Sequence, residues 1–512
     1  MSKFNMYPNL SIRFNSFLML LILFALLLSC KETPASGTKP ESVVPVEVPA
    51  SAGSNETAMN TTPPKPKGKA NITFKINGLG TGTAQIAGIY ADQNFLADTA
   101  RIQPGGIIKL KKDSLYMPGM YFVVMPNQQN FQLLLDADQE FEMTADLSDI
   151  INTMKVTGSV DNELLYQSLK MQYGQDKQLQ PLQQKAAGKP DTDPDAVAYK
   201  KMNEEVRLAR KKQLEEFTNQ HPNSFFVKFK RAGQNPEVRD IKLPNGQPDI
   251  AAQGYYFRQE YWNTTDLGDQ RLMYTPVMAN KIKQYFTDIT PQHQDSIIKQ
   301  ADFLLSRSLA NPDLFKYLSN YLLFKYEPGK TTLMDGEAVF SFITGKYYNA
   351  TNCPWLKPGD LQAIKQRGVE MSGSLLNKKA LDVVAKDPFG ATKSIYGIKS
   401  PYIVVYLFHT DCEHCQEYTP KLSKIYPQLK SRGVEIFTIA VNTTDAEWKK
   451  FIPKYGMTNF TNVFDPTNVA VYGKYFVDNT PEIYVLNKDR IIIGKNLKVE
   501  QINTILDMDQ KK

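Results

Sequence analysis

Residues 402–415 read YIVVYLFHTDCEHC, and their pattern predicts the fold of the C-terminal part of the chain. The run from Tyr402 to Phe408 is entirely apolar or aromatic, as expected of a strand that is buried on both faces of a sheet. Two cysteines follow, Cys412 and Cys415, and an apolar stripe at helical spacing comes after them. The pair is therefore predicted to lie where a strand ends and a helix begins.

Two cysteines separated by two residues at the start of a helix form the arrangement that thiol–disulfide exchange requires. The first sulfur faces free backbone N–H groups and the positive end of the helix dipole, which stabilise a thiolate. The thiolate attacks a disulfide, and the second thiol then resolves the mixed disulfide. Cys412 is therefore the expected nucleophile, and Cys415 is the expected resolving residue.

The sequence from about residue 380 onwards alternates strands and helices. A second strand is predicted over 434–441, and the capping box Thr444-Asp445-Ala446-Glu447 predicts the start of a helix. Residues 480–486 and 490–493 are predicted to pair as a hairpin. This alternation is typical of an α/β domain.

On these residues, the C-terminal part resembles the thioredoxin fold and is similar to the TlpA/ResA-type thiol–disulfide oxidoreductases of bacterial envelopes. The resemblance covers residues 380–512, and it rests on Cys412-Glu413-His414-Cys415, on Pro420 in the next helix and on Thr480-Pro481 before a strand. It implies a thiol–disulfide oxidoreductase that needs no cofactor. It also implies that Thr480 and Pro481 form a cis-proline loop that docks the substrate backbone.

Two residues depart from the pattern of this family, and two others are predicted to affect the thiolate. Asp411 stands where the family usually has Trp before the first cysteine. Tyr406 stands where thioredoxins carry a buried acid that accepts the proton of the resolving thiol, so Glu413 or a water molecule is expected to take that part. We predict that His414 stabilises the Cys412 thiolate and that the negative charge of Glu413 opposes this effect.

The N-terminus is predicted to be a lipoprotein signal peptide over residues 1–29. Lys3 and Arg13 precede an apolar run at 17–28, which is shorter than the roughly 18 residues that a spanning helix needs. The run ends in Leu27-Leu28-Ser29-Cys30, which resembles the lipobox of bacterial lipoproteins. The resemblance implies that Cys30 becomes the lipidated N-terminus, which anchors the chain to a membrane without spanning it.

Between this signal and the C-terminal domain, a tether and two further domains are predicted. Residues 30–70 are rich in Pro, Ser, Thr, Gly and Ala without periodicity, which predicts a disordered tether. Residues 71–158 hold short alternating runs between turn signals and predict a small all-β domain. Residues 160–370 have a mostly helical pattern and predict an α-helical domain. Residues 380–512, described above, form the last domain of a multidomain chain.

Composition excludes several other classes of protein. The 512 residues correspond to about three domains at roughly 150 residues each. With 42% hydrophobic and 22% charged residues, the chain is not a transmembrane bundle, a collagen or a wholly disordered protein. A net charge of +7 over this length gives no argument for nucleic acid binding. Four cysteines are too few for a disulfide scaffold, and the isolated Cys353 is expected to be a buried apolar residue.

Two alternatives to disulfide exchange stay open. Cys412, Cys415, His409 and His414 could bind copper(I) for delivery, whereas a structural zinc site would need a second pair of ligands that the sequence does not show. Haem attachment is excluded because Gln416 stands where His is required. The other alternative is a non-catalytic anchored scaffold.

The interpretation as a lipid-anchored thiol–disulfide oxidoreductase also predicts the partners and the location of the protein. The expected partners are disulfide-containing envelope proteins, a membrane electron donor or acceptor, and the membrane itself through the lipid anchor. The expected location is the cell envelope, facing the periplasm, and no metal site is predicted.

Overall fold

The computed structural model describes residues 68–477 and 479–511. The predicted signal peptide, Cys30 and nearly all of the predicted tether lie outside these residues. None of the helices in the described part of the chain is both long enough and apolar enough to cross a bilayer. The described residues fall into a β-rich part, a helical part and a C-terminal α/β part, which confirms the predicted fold class.

The β-rich part is an eight-stranded sheet in the order β6-β5-β2-β3-β4-β1-β7-β8. Only β1 and β7 pair in parallel; the other neighbours are antiparallel. Along β1, Ile72, Phe74 and Ile76 alternate inward as the period of two predicts, and all three are fully buried. The strands are β1 (Ala70–Asn77), β2 (Gly82–Tyr90), β3 (Gln93–Gln103), β4 (Ile107–Lys112), β5 (Gly119–Val124), β6 (Asn130–Leu135), β7 (Glu140–Asp146) and β8 (Lys155–Thr157).

The helical part follows the sheet without an extended linker. Its two longest helices, Val160–Ala186 and Pro194–Gln220, pack against each other. The remaining α-helices are Phe225–Ala232, Ile250–Glu260, Pro276–Gln284, Gln294–Ser308, Pro312–Lys325, Gly336–Tyr347 and Pro358–Met371, while the short helix Ile150–Thr153 lies between β7 and β8. Two 3-10 helices, Gln270–Tyr274 and Ser372–Ser374, and one π-helix, Tyr285–Ile289, complete it.

One hydrophobic core serves both the sheet and the helices, and it runs from Ala70 to Cys353. A side chain also joins the two parts at the edge strand β6. The Asn162 amide oxygen accepts from Leu134 N–H at 2.8 Å, and its Nδ2 donates to Leu134 O at 2.8 Å. The buried amide thereby satisfies backbone groups that an edge strand would otherwise leave unpaired.

The C-terminal part is a seven-stranded sheet in the order β10-β9-β13-β12-β11-β14-β15. The strand that the sequence predicted to be buried is β11, which pairs in parallel with β12 and antiparallel with β14. Alternate side chains of β11 enter apolar clusters on opposite faces of the sheet, which explains the continuous apolar run. The strands are β9 (Val384–Lys386), β10 (Thr392–Ser394), β11 (Tyr402–Phe408), β12 (Val434–Ala440), β13 (Thr461–Phe464), β14 (Glu482–Leu486) and β15 (Ile492–Gly494).

The cysteine helix, Glu413–Ser431, packs on this sheet beside β12. It continues through both Pro420 and Pro427. The other helices of this part are Asp445–Lys454, Val469–Tyr472 and Ile502–Gln510, with a 3-10 turn at Val499–Gln501.

A buried ionic cluster joins the helical part to the C-terminal sheet. Lys495 follows β15 and is completely buried, with its Nζ 3.2 Å from Glu337 Oε1 and 3.5 Å from Asp335 Oδ1. Asp335 also caps the helix Gly336–Tyr347 by accepting from Ala338 N–H at 3.1 Å. Burial raises the pKa of Asp335, against the lowering effect of the Lys495 charge. The cluster is costly to break because each partner left behind would be a buried charge.

Replacing Lys495 with Met is therefore expected to lower the free energy of unfolding by about 3 kcal/mol, since Asp335 and Glu337 lose their buried cation. Urea unfolding followed by tryptophan fluorescence measures the change. A matched control is Lys212→Met, because the Lys212 side chain is 79% exposed and its Nζ lies 3.9 Å from Glu216. The control should change stability by less than about 0.5 kcal/mol. Equal effects of the two substitutions would contradict the structural role of Lys495.

Candidate active site

Cys412 is the N-cap residue of the cysteine helix, in the short loop that follows β11. Its Sγ accepts a hydrogen bond from the backbone N–H of Cys415 at 3.2 Å. The local sequence explains this geometry, because the apolar run ends at Phe408, at the C-terminal end of β11, and the chain enters a helix a few residues later. The first cysteine thus takes the position in which free N–H groups and the helix dipole favour a negative sulfur.

The loop that precedes β14 approaches the same sulfur from the opposite side. The Thr480–Pro481 peptide bond is cis. Cys412 Sγ lies 3.1 Å from the carbonyl oxygen of Thr480 and donates to it when protonated. The structure therefore brings together Cys412, Cys415 and Thr480-Pro481, although Cys412 and Thr480 lie 68 positions apart in the sequence.

Opposing effects act on the pKa of Cys412, and their balance lowers it. Burial is the largest single effect and acts to raise the pKa, because it removes water from the thiolate. Hydrogen bonds with the side chains of Cys415 and Thr480 and with the backbone N–H groups of Cys415 and His414 together outweigh it. Cys412 is therefore the thiol of the pair that ionises more readily.

Cys415 has the opposite character. It is fully buried, and burial, followed by its hydrogen bond with Cys412, raises the pKa of its thiol to about 12. At neutral pH this residue is therefore a thiol, whereas Cys412 is the more exposed and more acidic partner. This asymmetry fits one attacking and one resolving sulfur.

Beneath the pair, Tyr406 takes the place of the acid that the family carries. Thr419 Oγ1 donates to the Cys415 carbonyl at 2.6 Å, and the Tyr406 hydroxyl lies 2.9 Å from the same Oγ1. Because the Thr419 hydrogen is used in this way, Tyr406 is the donor in the second bond. Burial raises the pKa of Tyr406, so the hydroxyl stays protonated and is not a base for Cys415.

The two residues between the cysteines are both exposed. His414 contributes its backbone N–H to the stabilisation of the Cys412 thiolate, while its ring lies against Tyr418, with ring centroids 6.3 Å apart. The Glu413 carboxylate is at the exposed first position of the helix. Of the His414 groups, the backbone N–H contributes to lowering the pKa of Cys412, and the ring lies beside Tyr418.

The loop between β11 and the helix is held by a neighbouring loop that sequence reasoning did not single out. His409 Nε2 lies 2.6 Å from the Asn442 carbonyl oxygen, and Thr410 Oγ1 lies 2.6 Å from Thr443 Oγ1. Both contacts form because β11 and β12 are parallel neighbours, so the segments after them meet at the same edge of the sheet. That parallel pairing was the only signal from which these supports could have been found.

A second set of groups supports the cis-proline loop from the far side of the sheet. Glu482, directly after Pro481, is buried, and it lies near Tyr484, whose pKa its charge helps to raise after the larger effect of burial. The Tyr484 hydroxyl is 3.2 Å from Ser374 Oγ, and Ser374 also accepts from Phe476 N–H at 3.5 Å. Ser374 belongs to the helical part, so both parts of the chain position this loop.

The described residues contain no group of three or more His, Cys, Asp or Glu side chains that is placed to hold a metal ion. His409 is 2.6 Å from a backbone carbonyl, and the His414 ring lies beside Tyr418. Cys353 lies outside the site; it is buried in the common core, and burial raises the pKa of its thiol.

Comparison with known proteins agrees with this geometry. A family model described as thioredoxin-like matches residues 400–492, and a model described as a domain of unknown function (DUF5106) matches residues 198–371. The thiol-disulfide oxidoreductase ResA of Bacillus thuringiensis strain Al Hakam is 28% identical over 135 residues, which are 26% of this chain and 76% of the relative. ResA of Bacillus subtilis strain 168 is 29% identical over 120 residues, which are 23% of this chain and 64% of that protein.

Solved structures are similar as well. A domain of a possible thiol-disulfide isomerase from Cytophaga hutchinsonii is 30% identical, with a TM-score of 0.26, and the match covers 27% of this chain and 94% of that one. A thioredoxin-like protein from Bacteroides caccae is 16% identical with a TM-score of 0.43, over 54% of this chain and 99% of that one. The family match at 400–492 and the ResA relatives lead to one conclusion: the chain carries a thioredoxin-like domain and is an oxidoreductase of the thiol–disulfide class.

Proposed function

We propose that this protein is a lipid-anchored oxidoreductase that exchanges disulfides with proteins of the cell envelope through Cys412 and Cys415. The observation that carries this proposal is the placement of Cys412 Sγ between the N–H of Cys415 at 3.2 Å and the carbonyl of Thr480 at 3.1 Å. The first group stabilises the attacking thiolate. The second marks the backbone along which a partner chain would dock.

Exchange proceeds in two steps. The Cys412 thiolate attacks one sulfur of the partner disulfide, a new S–S bond forms, and the other partner sulfur leaves as a thiolate that takes up a proton. Cys415 then loses its proton and attacks Cys412 Sγ, which forms the Cys412–Cys415 disulfide and releases the second partner sulfur. The partner gains two electrons, and the cysteine pair loses two.

The second step requires that Cys415 give up a proton despite a pKa of about 12. Tyr406 lies below the pair, but its raised pKa keeps it protonated. The proton therefore leaves towards a water molecule or the exposed carboxylate of Glu413. Net reduction of partners would draw electrons from a membrane donor, because the compartment outside the inner membrane is oxidising.

The membrane part of the proposal rests on the sequence. The apolar run at 17–28 is too short to span a bilayer and leads directly into Leu27-Leu28-Ser29-Cys30. A lipid on Cys30 and a tether to about residue 70 would hold the folded part near the membrane surface, facing the periplasm. Envelope proteins with disulfides are the corresponding partners.

Substituting the two cysteines separately should separate the two chemical steps. Cys412→Ser is expected to reduce the rate of insulin reduction to background, because no thiolate is left to attack. Cys415→Ser should leave the attack intact and accumulate partners as mixed disulfides on Cys412, which mass spectrometry of trapped complexes identifies. Cys353→Ala is the matched control and should retain activity. Unchanged insulin reduction in Cys412→Ser would refute the proposal.

The pH dependence of alkylation should report the difference between the two thiols. The rate of Cys412 labelling by iodoacetamide rises with pH as its thiolate forms, and this rise should be centred below the pKa of an ordinary cysteine thiol. Cys415 should stay unlabelled until far more alkaline pH, since its pKa is about 12. Peptide mapping of the reduced protein in a Cys353→Ala background distinguishes the sites. The reverse order of labelling would assign the roles of the cysteines the other way round.

Lipidation is tested by replacing Cys30 with Ser. The wild-type protein should partition into the detergent phase and incorporate labelled palmitate, whereas Cys30→Ser should do neither, because the acceptor sulfur for the lipid is absent. A protein with Cys353→Ser should behave as the wild type. Palmitate incorporation that persists without Cys30 would contradict the anchor.

A further inference from the structure

The loop at residues 326–335, which connects the helices Pro312–Lys325 and Gly336–Tyr347, lies against the cis-proline loop of the thioredoxin-like domain. Gly329 has a φ of +78°, and a Cβ built on it would lie 2.8 Å from Asn479 Nδ2. Asn479 directly precedes Thr480, whose carbonyl is 3.1 Å from Cys412 Sγ. The 326–335 loop therefore contacts the residue next to the backbone group that meets the reactive sulfur.

Both ends of the 326–335 loop are held in place. Tyr326 is buried, and its hydroxyl donates to the carbonyl of Phe286 at 3.1 Å. At the other end, Asn496 Nδ2 donates to the carbonyl of Met334 at 3.2 Å, and Asp335 pairs with the buried Lys495. The loop is thus a fixed wall beside the cis-proline loop, because movement would break a buried ionic contact.

Arg367, on the helix Pro358–Met371, connects the same loop to the start of the cis-proline loop. Its Nη2 lies 3.5 Å from Glu327 Oε1, and its guanidinium carbon is 5.3 Å from the centre of the Phe476 ring. A guanidinium over an aromatic face is attractive, so Arg367 ties Glu327 to Phe476 across the two parts of the chain. The wall and the loop that docks the substrate are therefore positioned together.

We propose that the 326–335 loop and Arg367 form one side of the groove in which a disulfide-bearing polypeptide docks, so that the helical part of the chain takes part in partner recognition. This inference rests on the proposed exchange at Cys412. An extended partner segment that follows the backbone at Thr480 continues past Asn479 and meets the wall. A small disulfide reaches Cys412 without extending that far. The wall therefore affects the binding of protein disulfides more than the binding of small disulfides.

The test compares insulin with cystamine as substrates of the full-length protein. Gly329→Ala adds a methyl group that displaces Asn479 or the loop, since both its φ and its 2.8 Å approach disfavour a side chain. The specificity constant for insulin should fall about five-fold relative to that for cystamine, and the loss should lie mainly in KM. A purely structural disturbance of the site would lower both constants together and leave their ratio unchanged.

Gly246→Ala is the matched control. Gly246 has a nearly equal φ of +81°, but no atom lies within 4 Å of the position of its Cβ. The two substitutions therefore introduce the same backbone strain, and only Gly329→Ala alters the wall. The control should preserve the ratio of the two specificity constants.

Arg367→Gln provides a second variant that does not depend on the folding of Gly329→Ala. It removes the ion pair with Glu327 and the contact with Phe476, and it should shift the substrate ratio in the same direction. If the ratio of the two specificity constants is unchanged in both variants, or shifts equally in Gly246→Ala, the wall has no role in partner recognition. A wild-type protein that reduces neither substrate would instead overturn the exchange at Cys412, and the wall with it.

Discussion

The hydrogen bond from the Cys415 N–H to Cys412 Sγ is the contact around which the thioredoxin-like domain is arranged. It forms because the chain leaves the buried strand β11 and enters a helix within a few residues, with Cys412 as the N-cap residue. The same bond makes one sulfur acidic while the helix buries the other. Fold and chemistry therefore have a common cause in this turn.

The two thiols differ in pKa because they differ in burial and in hydrogen bonding. Cys412 gains several hydrogen bonds while it stays partly exposed, whereas Cys415 is fully enclosed and its pKa rises to about 12. Tyr406 below them is a neutral donor where an acid is usual, so the proton of the resolving thiol has no carboxylate at that position to receive it. The tyrosine therefore leaves the pKa of the buried thiol high and the pKa of the attacking thiol low.

The helical part does more than connect the β-rich sheet to the oxidoreductase domain. It shares a core with the sheet on one side, and on the other side its Asp335 and Glu337 enclose Lys495. The contact of Gly329 with Asn479 and the position of Arg367 over Phe476 extend this junction to the cis-proline loop. Because the Gly329 and Arg367 contacts lie beside the cis-proline loop, the geometry of this loop depends on both parts of the chain.

Local sequence patterns were enough to predict the fold class, the placement of Cys412 and Cys415 at a strand–helix junction and the burial of Cys353. These features depend on local periodicity and spacing, which residues near each other in sequence express directly. The contacts of Asn442 and Thr443 with the active-site loop, and the enclosure of Lys495 by two carboxylates, became apparent only from the tertiary structure. The partners in those contacts lie far apart in sequence, and no local pattern specifies which distant segments the packing of a sheet and a helical part will bring together.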